Sequence, residues 1–216
     1  MEEVIKVLIY IHAFFGEIGL ISGFGSILVK KGSLLHKIMG KLFSIGMIVS
    51  SLISIPIAWM PNHENLFLFL IGLFTIYLVI SGNQILTFKS KSKQTANQID
   101  KIISGSMLFL SIFMILFGIY GLVKGNSTYT LFVFFGGFGL SLTIRGFIFY
   151  KKYTNTNKAW LSNHIGKMIG AYIASVTTFI VAGLGIANLI AWMFPSVLGT
   201  FYIIYWRRKT KPKKQK

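Results

Sequence analysis

Runs of twenty or more largely apolar residues recur from one end of this chain to the other, separated by short polar connections. A helix rises 1.5 Å per residue, so about twenty residues match a hydrocarbon core of ~30 Å. Only a helix or a closed barrel satisfies its backbone groups there. Seven spans are predicted, over residues 4–29, 36–60, 65–88, 102–123, 129–150, 160–182 and 185–206. The expected fold class is an all-α integral membrane protein, a seven-transmembrane-helix bundle forming a single domain over 1–206. A basic, disordered cytoplasmic tail is expected over 207–216. Composition agrees: 12% of residues are charged, about half the roughly 25% of soluble domains. The last boundary is the narrowest, because Gly183-Leu184-Gly185 has to form a hairpin within an otherwise continuous apolar run. Pro56 and Pro195 predict kinks in the second and seventh spans.

Orientation follows from the loop charges. Lys30, Lys31, Lys37 and Lys41 flank the first connection, and Lys89, Lys91, Lys93 and Lys101 the third. Lys151, Lys152 and Lys158 occupy the fifth, with Arg145 just inside the membrane, and the tail from Arg207 is almost wholly basic. Connections two and six carry no Lys or Arg, and connection four carries only Lys124. This alternation requires an odd number of spans, with the N-terminus outside and the C-terminus cytoplasmic. The opening Met1-Glu2-Glu3 lacks the basic start of a secretory signal and no cleavage site follows, so the first run is expected to persist as a helix.

Several function classes are disfavoured. The net charge of +17 is explained by the positive-inside bias and by anionic lipid headgroups at the basic cytoplasmic face, rather than by nucleic acid. Cysteine is absent, which removes disulfides and thiolate metal sites. No zinc-hydrolase spacing, phosphate loop, dinucleotide fingerprint or nucleophile elbow is present, and the seventh span lacks the lysine that retinal would need. The glycine clusters at Gly16, Gly19, Gly23 and Gly25 and at Gly136, Gly137 and Gly139 read as close helix packing. Trp59, Trp160 and Trp206 fall at span ends, as an interfacial belt requires.

The chemistry-bearing residues are therefore few. Glu17 lies mid-way along the first span, where an acid costs ~2.5–3.5 kcal/mol, so it is expected to face the bundle interior as a structural hydrogen-bonding group or a proton or ion site. His12 lies roughly 140° around the helix from Glu17, which disfavours a direct pair and favours an interhelical hydrogen bond. His36 and His164 are expected at one cytoplasmic depth on helices running the same way. Two imidazoles so placed suit axial ligation of a haem iron, and otherwise serve as helix caps. Gly40, Gly46, Gly166 and Gly170 would let a flat macrocycle approach, and Arg145 could pair with a propionate. His63, between Pro61 and Glu64, reads as an exposed loop residue. A faint internal echo joins His36-Lys37-Ile38-Met39-Gly40-Lys41 to His164-Ile165-Gly166-Lys167.

Three segments taken together are similar to a known family. They are His12-Ala13-x-x-Gly16 with Gly19 and Gly23, then Lys31-Gly32-x-x-x-His36-x-x-x-Gly40-Lys41, and His164-Ile165-x-x-Met168 through Ala171-Tyr172-Ile173-Ala174 to Thr177, Thr178 and Phe179. They resemble bacterial predicted membrane proteins grouped as domain of unknown function 2306, over about a third of the chain. The resemblance implies a bacterial cytoplasmic membrane and picks out His12, His36 and His164, but implies no activity. The leading expectation is a b-type haem electron carrier that exchanges electrons with a quinone or another redox partner. The rivals are a proton-coupled small-molecule or ion transporter with Glu17 as coupling acid, and a non-catalytic assembly or lipid-interacting protein.

Overall fold

The computed structural model describes residues 2–90, 93, 95–152, 159–186 and 188–210. Among these residues it is wholly helical, with seven helices long and apolar enough to cross a membrane. They are α1 (Glu2–Leu28), α2 (Leu34–Ile57), α3 (Leu66–Gln84), α4 (Gln98–Val123), α5 (Thr130–Lys152), α6 (Ala159–Thr178) and α7 (Leu189–Thr210). This is the architecture of a multi-pass membrane protein.

Where boundaries differ from expectation, local chemistry explains the difference. The helix α2 stops at Ile57, one residue after Pro56, because proline leaves a carbonyl of the last turn without its donor. The third span continues past α3 as a 3-10 turn over Ile85–Lys89. The helix α4 begins at Gln98 rather than 102, because Asn97 and Asp100 form a reciprocal capping box. The Gly183–Gly185 break is real but longer than a bare hairpin. A π-helical turn over Phe179–Gly183 closes α6, Gly185 adopts a left-handed φ of +71°, and α7 starts only at Leu189. The Asn188 side chain accepts from Ala191 N–H at 2.8 Å there. The tail also starts later than expected. Residues 207–210 remain helical, held by the Arg207 Nε bond to Ser162 Oγ at 2.8 Å. The expected disorder over 211–216 lies outside the described residues, as do Lys91 and Lys158.

The chain forms two compact units, with α3, α6 and α7 contributing to both. The first comprises residues 1–79 and 170–196. Its centre is the α1–α2 seam, where glycines bring two backbones together: a Cβ on Gly46 would lie 2.7 Å from Phe15 O and 2.8 Å from Gly19 N. Gly23 leaves room for the rings of Phe43 and Tyr172, whose centroids are 6.1 Å apart. Phe67 and Trp192 of the same unit pack edge to face, with centroids 4.9 Å apart.

The second unit comprises residues 80–169 and 197–216. It is built on antiparallel α4 and α5. A Cβ on Gly118 would strike Val133, one on Gly121 would strike the Tyr129 ring, and one on Gly136 would lie 3.0 Å from Ser111 O. The buried stripe of α4, from Asp100 through Ser104, Met107, Ser111 and Met114 to Gly118 and Gly121, follows helical spacing and is polar at its first turns. Ile85, Phe88 and Phe149 form an apolar cluster beside it, with Phe88 and Phe149 ring centroids 5.1 Å apart.

Candidate functional site

The buried ionisable groups gather in the second unit, at the lysine-rich ends of α4, α5 and α6. Asp100 is 1% exposed and Lys167 is 2% exposed. One Asp100 oxygen, Oδ2, accepts from Asn97 N–H at 2.9 Å and forms an ion pair with Lys93 Nζ at 2.8 Å. Lys93 also lies over the Phe88 ring, 4.5 Å from its centroid. Its side chain retains 17% exposure, so the pair has one partner that reaches solvent. The other oxygen of Asp100, Oδ1, is buried without a hydrogen bond among the described residues, and the charge of Asp100 acts on Lys167. Opposite them, a Cβ on Gly146 would lie 3.9 Å from both Lys167 Nζ and Ser104 Oγ. Gly146 therefore faces the Lys167 ammonium and the Ser104 hydroxyl, at a distance that would also admit a methyl group. Ser104 Oγ is 3.2 Å from Tyr150 OH. Farther along, the hydroxyls of Thr143 and Ser111 are buried without a hydrogen bond among the described residues. From Asp100 to Ser111 this polar stripe covers about 16 Å of helix, half a hydrocarbon core.

Neither Asp100 nor Lys167 was singled out as a site from the sequence. The signals were there. Lys167 falls inside the predicted sixth span, where any ionisable residue is a functional hypothesis. Asn97-x-x-Asp100 is a capping signature that moves the start of α4 back far enough to include the acid.

The histidines share one device. His36 Nδ1–H donates to Ser26 O at 3.0 Å, and His164 Nδ1–H donates to Gly82 O at 2.8 Å. His12 Nδ1–H donates to Ser50 O at 2.9 Å, and Ser50 Oγ donates back to His12 O at 3.0 Å. Each bond joins two helices. His63 makes a local version with Pro61 O at 3.1 Å, in the exposed loop. A carbonyl can only accept, so each ring donates through Nδ1–H. That tautomer is the one a metal-ligating histidine adopts when a carbonyl orients it. His36 and His164 each fit the requirement for an axial haem ligand in this respect. Among the described residues no three His, Cys, Asp or Glu side chains gather to hold a metal ion.

The remaining expected residues sit elsewhere. Glu17 is exposed, not interior. The Gly16, Gly19 and Gly23 seam fixes the rotation of α1 against α2 and turns Glu17 away, into a row with exposed Tyr10, Phe14, Ile21 and Phe24. Arg145 is on the exposed side of α5. Of the glycines proposed to admit a macrocycle, Gly46 is filled by the α1 backbone, whereas Gly40 and Gly166 have nothing within 4 Å of an added Cβ. The two members of the sequence echo differ likewise: Lys41 is exposed and Lys167 buried.

No family model, curated protein or solved structure matches the chain, so the resemblance of its His12, His36 and His164 segments rests on those motifs alone.

Proposed function

We propose that the protein is a proton-coupled transporter of a small molecule or ion, with the Asp100–Lys167 pair as its titrating centre. The observation that carries this reading is the burial of a lysine inside a membrane-spanning helix, with the one acid of its unit also buried and within electrostatic reach. Such groups are costly in a membrane protein and are characteristic of ion and proton pathways. Lys93, partly exposed and bonded to Asp100, connects the pair to the aqueous side. In this reading the buried carboxyl and amine are the exchangeable groups of the span, and the Ser104 and Tyr150 hydroxyls, 3.2 Å apart, extend the polar path. The lysine-rich ends face the cytoplasm in this reading, and the membrane is the cell membrane. Glu17 has no part in this relay.

Protein reconstituted in liposomes with an internal pH dye tests it. Lys167→Met is expected to slow proton flux at least tenfold, while Lys167→Arg retains a measurable rate. Equal flux in wild type and Lys167→Met, with both variants folded, would overturn the proposal.

The tautomers of His36 and His164 favour a second reading, a b-type haem electron carrier that serves a quinone. Haem would supply one-electron chemistry, and a ring oriented through its Nδ1–H would supply Nε2 to the iron. A Soret band in the purified protein that is lost in His36→Ala and His164→Ala is its signature.

A further inference from the structure

Serines and threonines inside these helices commonly return their hydroxyl proton to a carbonyl one turn back, as Ser22, Ser44, Thr75, Thr177 and Thr178 do. The seam between α4 and α5 departs from that pattern. Ser104, Ser111 and Thr143 are fully buried. Ser104 Oγ meets Tyr150 OH at 3.2 Å, while Ser111 Oγ, Thr143 Oγ1 and Asp100 Oδ1 are buried with no hydrogen bond among the described residues. Buried polar atoms left so are destabilising, and internal water is the usual partner that relieves them. Gly146 provides the room. Beyond its own helix backbone, a Cβ placed there would have two neighbours within 4 Å among the described residues, Lys167 Nζ and Ser104 Oγ, each at 3.9 Å. A methyl-sized gap therefore faces a buried ammonium and a buried hydroxyl. An ammonium carries three donors and a hydroxyl can hold three bonds, so one neighbour saturates neither. Asp100 stands one turn from Ser104 on the buried stripe of α4, and Thr143 one turn from Gly146 on that of α5.

We propose that Gly146 seats one internal water molecule, held between Lys167 Nζ and Ser104 Oγ. A displacement of about 1 Å from the Cβ position brings a water oxygen within hydrogen-bond distance of both groups. Water accepts from the ammonium and can donate to the hydroxyl, which satisfies both neighbours at once. A halide is larger than the methyl-sized gap, and the carboxylate of Asp100 one turn away opposes an anion. The presence of the water follows from this geometry alone. Its use in proton exchange rests on the transport reading.

X-ray radiolysis of the detergent-purified full chain tests the proposal, because hydroxyl radicals made from internal water oxidise the side chains beside it. Met107 is 1% exposed and lies one turn from Ser104 on the same stripe. Met47, at 3% exposure, packs against Gly19 in the α1–α2 seam and serves as the dry reference. In wild type, Met107 is expected to be oxidised at least fivefold faster than Met47. Gly146→Ala puts a methyl in the water's place at ordinary contact distance, so it should bring Met107 down to the Met47 rate without lowering the melting temperature. Gly137→Ala, which meets nothing within 4 Å, should leave the Met107 rate unchanged. Misfolding would raise the oxidation of both methionines, so it cannot imitate a fall at Met107. Equal rates for Met107 and Met47 in wild type, or a Met107 rate unchanged by Gly146→Ala, would overturn the proposal. A fall at Met107 in Gly146→Ala, with liposome flux unaffected by Lys167→Met, would uphold the water and sink the transport reading.

Discussion

Removing the carboxylate of Asp100 tests the buried ion group directly. In Asp100→Ala, Lys93 loses a 2.8 Å partner, but its side chain is partly exposed and can turn to water, so that loss contributes at most ~1 kcal/mol. The α4 cap loses the bond to Asn97 N–H, worth about 1 kcal/mol. Lys167 is different. At 2% exposure it cannot reach solvent without repacking α6, and stranding one member of a buried charge pair costs about 3–5 kcal/mol. The expected loss for Asp100→Ala is therefore about 4–7 kcal/mol, dominated by Lys167. The corollary is sharper. In the Asp100→Ala background, Lys167→Met removes a buried charge that Asp100 no longer offsets and should recover about 2–3 kcal/mol. Lys167→Met alone should cost roughly 1 kcal/mol or less, since Asp100 keeps Lys93 and a buried charge is replaced by an apolar chain of similar length. Denaturant unfolding in mixed micelles, run as a double-mutant cycle, measures all four species. Additive single and double variants, or an Asp100→Ala cost below about 1 kcal/mol, would refute the account.

Other outcomes follow from the same geometry. Gly46→Ala should destabilise the α1–α2 pair by about 1–3 kcal/mol, because the atoms in the way are backbone, whereas Gly40→Ala should be neutral or stabilising by up to ~1 kcal/mol. Thermal unfolding of the two variants side by side checks the difference. Glu17→Gln should leave proteoliposome proton flux within twofold of wild type, and a larger fall would return the coupling role to that exposed acid. Asn97→Ala should cost about 1 kcal/mol by the same unfolding assay, through loss of the α4 capping box.

The apolar runs and the bulk composition point to a membrane protein, but the residues that matter were sorted by different physics. Seven apolar runs are legible in the sequence because span length is a one-dimensional property: a bilayer of fixed thickness needs a fixed count of apolar residues. The helix ends moved by only a few residues, and the shifts trace to Pro56, to the Asn97–Asp100 box and to the π turn before Gly185. The glycine seams were likewise visible as small residues at helical spacing.

Which way each helix is turned was not legible. Glu17 was expected inside because a buried acid demands a partner, yet the seam at Gly16, Gly19 and Gly23 decides the rotation of α1 and leaves the acid exposed. Lys41 and Lys167 occupy equivalent places in two similar segments, and only the packing partner separates them. Lys41 is exposed, whereas Lys167 is buried beside Gly146 and within the field of Asp100. The sequence by itself determined how many helices form and where they begin and end. The choice of buried charge needed the tertiary structure, because it depends on the electrostatic coupling of residues 67 positions apart, Asp100 and Lys167, that no local pattern encodes.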